Sequence, residues 1–107
     1  MNIYEFNNLK NIIESKEKQL YALFIYYRKK GVSIKNIQIY IDSMNEEYVK
    51  TFLTTYSKYL SNPEFRQRLL TYLKSQEATN RHSQTRFLDS LYTSVLNYNN
   101  VNNSHTL

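Results

Sequence analysis

Cysteine and tryptophan are absent from this 107-residue chain, and glycine and proline occur once each. Without cysteine there is no disulfide framework, no thiolate zinc site and no thiol nucleophile. With one glycine and one proline, the turn residues that the hairpins of a sheet protein need are missing. Helices joined by short polar turns are favoured instead. Long apolar runs are missing too: the longest, Leu20 to Tyr27, has eight residues, against the roughly 20 of a bilayer-spanning helix. The first residues, Met1–Glu5, lack the basic-then-apolar order of a secretory signal. These absences lead to the expectation of a soluble, cytoplasmic protein with no membrane span.

Residues suited to catalysis are also scarce. His82 and His105 are the two near-neutral acid–base candidates. His105 falls in an Asn-rich tail and His82 in a polar turn, neither with a carboxylate or hydroxyl partner at a fixed spacing, so both read as solvated. Glu46 and Glu47 are adjacent, so on a helix they diverge by about 100° rather than converging as a carboxylate pair. One glycine cannot build a phosphate-cradling loop, and no metal-ligand spacing occurs. The expectation is a non-enzymatic protein with no cofactor and no metal.

What is present is basic and rich in tyrosine: 14 Lys and Arg against 9 Asp and Glu, a formal charge of +5, and 11 tyrosines. A positive balance favours anionic partners; taken alone, it also serves solubility. Tyrosine fills core boundaries and anchors interfaces. The supply of Asn and Lys points to AT-rich coding, as in a low-GC bacterium or its plasmids and phages.

The apolar periodicity predicts an all-α, compact bundle of five or six short helices, one domain over residues 1–97, with an Asn-rich and disordered tail over 98–107. Phe6, Leu9 and Ile13 form a first stripe. Glu14–Lys18 reads either as a turn capped by Ser15 or as the exposed side of one helix through residue 30. Leu20, Leu23, Phe24 and Tyr27 form the next stripe, with Gly31 placed to cap the helix end. Ser33 can cap a helix over 34–43, although Ile37, Ile39 and Ile41 also alternate as in a short strand. Helix is favoured because a lone strand lacks a partner. Asn45 followed by two acids predicts a new helix over 46–60, and Asn62-Pro63 another over 63–77. A polar turn at 78–83 and a last helix over 84–97 complete the map.

The stretch Gly31-Val32-Ser33, then Ile37, Tyr40 and Ile41, resembles the turn and second helix of helix-turn-helix DNA-binding proteins. The resemblance implies that Ser33, Lys35, Asn36 and Gln38 face double-stranded DNA. Asn and Gln would pair with adenine and Lys with guanine, while Arg28, Lys29 and Lys30 lie near phosphates. Two positions depart from the pattern: Tyr27 stands where a small residue lets the helices cross closely, and Lys30 where an apolar residue precedes the glycine. A second registration resembles the three-helix form of recombinases, with helices 19–30, 33–41 and 46–60. It implies that Lys50, Thr51, Thr54, Thr55 and Lys58 enter the major groove. A homodimer is compatible with this resemblance, and the sequence leaves the oligomeric state open. The alternative is a helical module that binds or inhibits another protein through its tyrosines, bacteriocin-immunity-like bundles included. In that case 33–41 is simply a capped helix whose isoleucines face the core.

Overall fold

The computed structural model describes residues 1–79 and 83–106, the side chains of Ser83 and of residues 99–106 excepted. His82, the His105 side chain and residues 80–82 of the turn expected at 78–83 therefore lie outside the described residues, while residues 78 and 79 belong to the helix before it. Among the described residues the chain is all-α, with five helices: α1 (Ile3–Lys29), α2 (Ile34–Thr55), α3 (Ser57–Leu60), α4 (Pro63–Thr79) and α5 (Phe87–Thr106). A 3-10 turn, Ser83–Thr85, precedes α5. Among the described residues there is no strand and no helix long and apolar enough to cross a membrane.

Residues 3–29 form one helix rather than two. Its start is a capping box: Asn2 Oδ1 accepts from the Glu5 backbone N–H at 2.8 Å, and the Glu5 carboxylate accepts from the Asn2 N–H. No proline or glycine interrupts it, and Phe6, Leu9, Ile13, Glu17, Leu20 and Phe24 keep one buried stripe through the polar segment. Glu14–Lys18 is thus no turn, and Ser15 caps nothing. At the other end the chain closes a full Schellman motif. Val32 N–H donates to Tyr27 O and Gly31 N–H to Arg28 O, both at 3.0 Å, with Gly31 at φ +87°.

Ser33 then caps α2, its hydroxyl accepting from the Asn36 N–H at 3.2 Å. The helix does not stop at residue 43, nor is there a strand at 37–41. It runs 22 residues to Thr55. Asn45, expected as a cap, sits 1% exposed inside it, on the same face as Ile41 and Val49. Its amide donates to Thr85 O at 2.8 Å, so the polar side chain serves a tertiary contact and the helix continues past it. The helix expected over 46–60 breaks instead at Tyr56, whose φ of −105° separates α2 from α3. Asn62 caps α4 as expected, accepting from Glu64 N–H and Phe65 N–H, with Pro63 at the first position. The backbone of α5 stays helical through the Asn-rich residues to Thr106, where composition suggested disorder.

Two apolar clusters result. The larger joins all five helices through Leu9, Ile13, Leu20, Phe52, Leu60, Leu69, Leu73, Phe87, Leu91 and Val95, among others. The smaller is made, among the described residues, of α1, α2 and the turn between them: Phe24, Ile37 and Ile41, with Ile25, Tyr27 and Val32 against them. The α1–α2 end therefore has a small apolar cluster of its own, joined to the rest of the molecule through polar contacts with the 3-10 turn. The molecule measures 48 × 32 × 22 Å, its long dimension comparable to the ~40 Å of a 27-residue helix.

Tyrosines tie α1 to its neighbours. Tyr72 hydroxyl donates to Glu14 at 3.1 Å, and burial followed by this carboxylate raises its pKa above the usual tyrosine value. Tyr59, bonded to Glu5, and Tyr48, by burial, are also raised. A phenol whose pKa is higher folded than unfolded contributes stability that is complete below the unfolded value, about 10. That contribution is lost as pH rises toward the folded value. Thermal midpoints should therefore fall as the pH passes about 10, and fall less steeply in Tyr72→Phe. Equal alkaline slopes for the two proteins would remove this account.

Candidate nucleic-acid interface

The contacts between α1 and α2 fix how the two helices meet. Near the turn, Tyr27 meets Tyr40 with ring centroids 5.5 Å apart. Farther down, the Lys16 ammonium lies 5.0 Å from the Tyr48 ring. Lys16 and Tyr48 each stand 15 residues from Gly31 and Ser33 respectively, about 22 Å along each helix. Perpendicular arms of that length would hold the two residues roughly 30 Å apart. The pair is an antiparallel helical hairpin, not the steep crossing of a helix-turn-helix. Tyr27, where that family has a small residue, is the physical reason: its ring fills the space a close crossing requires. The recombinase-like registration fails as well, because 33–41 and 46–55 belong to one continuous helix.

The residues expected to face DNA fall into two separate groups. Arg28, Lys29, Lys30, Ser33, Lys35 and Asn36 are exposed together at the turn end of the hairpin. Lys50, Thr51, Thr54, Thr55 and Lys58 are exposed near the opposite end. Thr51 and Thr54 there turn their hydroxyls back to Glu47 O and Lys50 O, each at 3.1 Å. Gln38 belongs to neither group. It is half-buried, and its amide donates to Gln84 O. Gln38 and Asn45, two turns apart on α2, thus hold the carbonyls of Gln84 and Thr85 and brace the 3-10 turn against the hairpin. Arg86 follows at φ +54° and pairs with Asp42 at 3.7 Å, an exposed contact worth little by itself.

The electrostatics of the turn end are one-sided. From Gln19 to Ile41 the chain has four cations, Arg28, Lys29, Lys30 and Lys35, and no Asp or Glu. Among the described residues the ion pairs are Lys74–Glu77 and Arg86–Asp42, so these four cations have no carboxylate partner there. Four of the eight exposed large apolar side chains among the described residues gather at the same end: Tyr26, Ile34, Ile39 and Tyr40. Lys30 Nζ lies 5.4 Å from the Tyr26 ring. Tyr27 is raised in pKa, first by a hydrogen bond with Tyr40, and keeps its proton at neutral pH.

Periodicity and motif matching gave no account of Tyr26, Tyr40 or Ile39 as surface residues. The acid-free stretch, by contrast, is visible in the sequence and marks the same end of the molecule. The chain matches no family model, no curated protein and no solved structure.

Proposed function

We propose that this chain is a small, non-enzymatic DNA-binding protein, a regulator or accessory factor, that docks through the turn end of its α1–α2 hairpin. The observation that carries the reading is the segment 19–41: four unpaired cations, no acid, and one exposed end of the molecule to hold them. Cations so grouped neutralise neighbouring phosphates and release their counterions. Lys35 and Asn36, exposed in the first turn of α2, are the side chains free to reach base edges. Gln38 is not, since its amide is engaged with Gln84.

Fluorescence anisotropy with a labelled duplex of about 20 base pairs tests this. Four phosphate contacts imply a slope of log K against log salt near −3.6, or ~10²-fold weaker binding between 50 and 200 mM salt. Absence of binding at low salt ends the proposal, as does binding to phosphatidylserine vesicles with none to DNA. Sedimentation of the complex reads whether one or two chains bind. A second reading, a module that binds another protein, is favoured by the exposure of Tyr26, Ile34, Ile39 and Tyr40. A complex with a defined protein that survives 0.5 M salt and is lost on replacing these four would support it over DNA.

A further inference from the structure

Duplex phosphates account for the cations at the turn end but leave its aromatic surface without a use. Tyr26 is 53% exposed and Tyr40 46% exposed. Both meet Tyr27 edge to face, at centroid distances of 5.3 and 5.5 Å. Tyr27 itself is half-buried on the small cluster of Phe24, Ile37 and Ile41. Two half-exposed rings, one from each arm of the hairpin, thus both lean on a third. Lys30 Nζ lies 5.4 Å from the Tyr26 ring centroid, and Arg28, Lys29 and Lys35 are exposed at the same end of the hairpin.

We infer that this end takes nucleic acid with unpaired bases, and that Tyr26 and Tyr40 stack on two of them while the four cations follow the phosphates. The inference rests on the DNA-binding reading and narrows its substrate. Open aromatic faces beside a cationic track are how single strands are held without sequence readout, because every base has a face to stack and a duplex hides it. A lipid surface fits the layout less well. The extreme end, Lys29 to Ile34, exposes cations and small residues with one large apolar side chain, Ile34, and Val32 is turned into the cluster. Tyr26 and Tyr40 stand roughly 7–10 Å back along their helices, on the flank that a strand can lie against but a bilayer meeting the end cannot.

The test compares a 20-residue oligothymidylate with a duplex of equal length, using the full chain. Wild type should bind the single strand more tightly. Tyr26→Ala/Tyr40→Ala should weaken single-strand binding at least about tenfold and duplex binding less than about threefold, with the salt slope unchanged. Tyr26→Phe/Tyr40→Phe should restore it, since stacking needs the ring and not the hydroxyl. The chain has no tryptophan, so tyrosine emission reports directly, and oligothymidylate should quench it in wild type more than in the alanine variant. Equal losses on both substrates, or no loss on either, would overturn the stacking role while leaving DNA binding intact. A loss confined to phosphatidylserine vesicles would overturn it in favour of lipid. Failure of wild type to bind either nucleic acid would remove the underlying reading first.

Discussion

Replacing Arg28, Lys29, Lys30 and Lys35 together with glutamine is expected to weaken DNA binding at least ~10²-fold at 50 mM salt and to flatten its salt dependence almost completely. The substitution lowers the formal charge from +5 to +1 and leaves a neutral surface where the anionic partner docks. Glutamine retains a long side chain and good helix propensity, so the backbone has no reason to change. Arg28 and Lys29 lie in the last turn of α1, where each cation stabilises the helix end by about 0.3–1 kcal/mol. A modest loss in melting temperature should therefore accompany the loss of binding without explaining it. Lys50→Gln/Lys58→Gln, which lowers the charge by two, is the control for position. Both positions are exposed at the far end of the molecule, and their removal should change affinity less than about threefold. A comparable loss in the control would mean that binding follows overall charge rather than the hairpin end.

The turn at the centre of this reading was legible because its determinants are local. Gly31 supplies the positive φ, Ser33 supplies the cap, and both act within four residues of themselves. Asn62-Pro63 was legible for the same reason. Asn45 was not. Its local preference is to start a helix, while its role depends on a carbonyl 40 residues away, which no window along the chain contains. Gln38 misled in the same manner, free in the sequence and tied to Gln84 in the fold. The isoleucines show how period decides. A strand would place Ile37, Ile39 and Ile41 on one face, whereas the helix buries Ile37 and Ile41 and leaves Ile39 61% exposed. The helix-turn-helix resemblance captured the turn chemistry and missed the crossing, because the crossing depends on Tyr27 against Tyr40 across the hairpin. Which tyrosines face solvent was likewise invisible, since Tyr48 packs on Phe87 and Tyr26 faces outward with the same side chain.

The two clusters carry a further expectation about how the fold comes apart. Phe87 is fully buried at the start of α5, packed 5.3 Å from the Tyr48 ring in the cluster that joins all five helices. Phe87→Ala should cost about 3–5 kcal/mol, a large share of the roughly 5–15 kcal/mol that holds a domain of this size folded. Ile41→Ala removes less, about 2–5 kcal/mol, and removes it from the small cluster alone. Its damage should stay local, because no described residue of α3, α4 or α5 belongs to that cluster. Hydrogen exchange separates the two cases. Phe87→Ala should lower protection throughout the helices, whereas Ile41→Ala should lower it at residues 22–41 and leave α4 near the wild-type rate. Were Ile41→Ala to lower protection in α4 as much as at the turn, the hairpin end and the body would be one cooperative unit. In the expected case, the DNA-binding end opens on its own without unfolding the rest, and Ile41→Ala weakens binding at temperatures where the body is still intact.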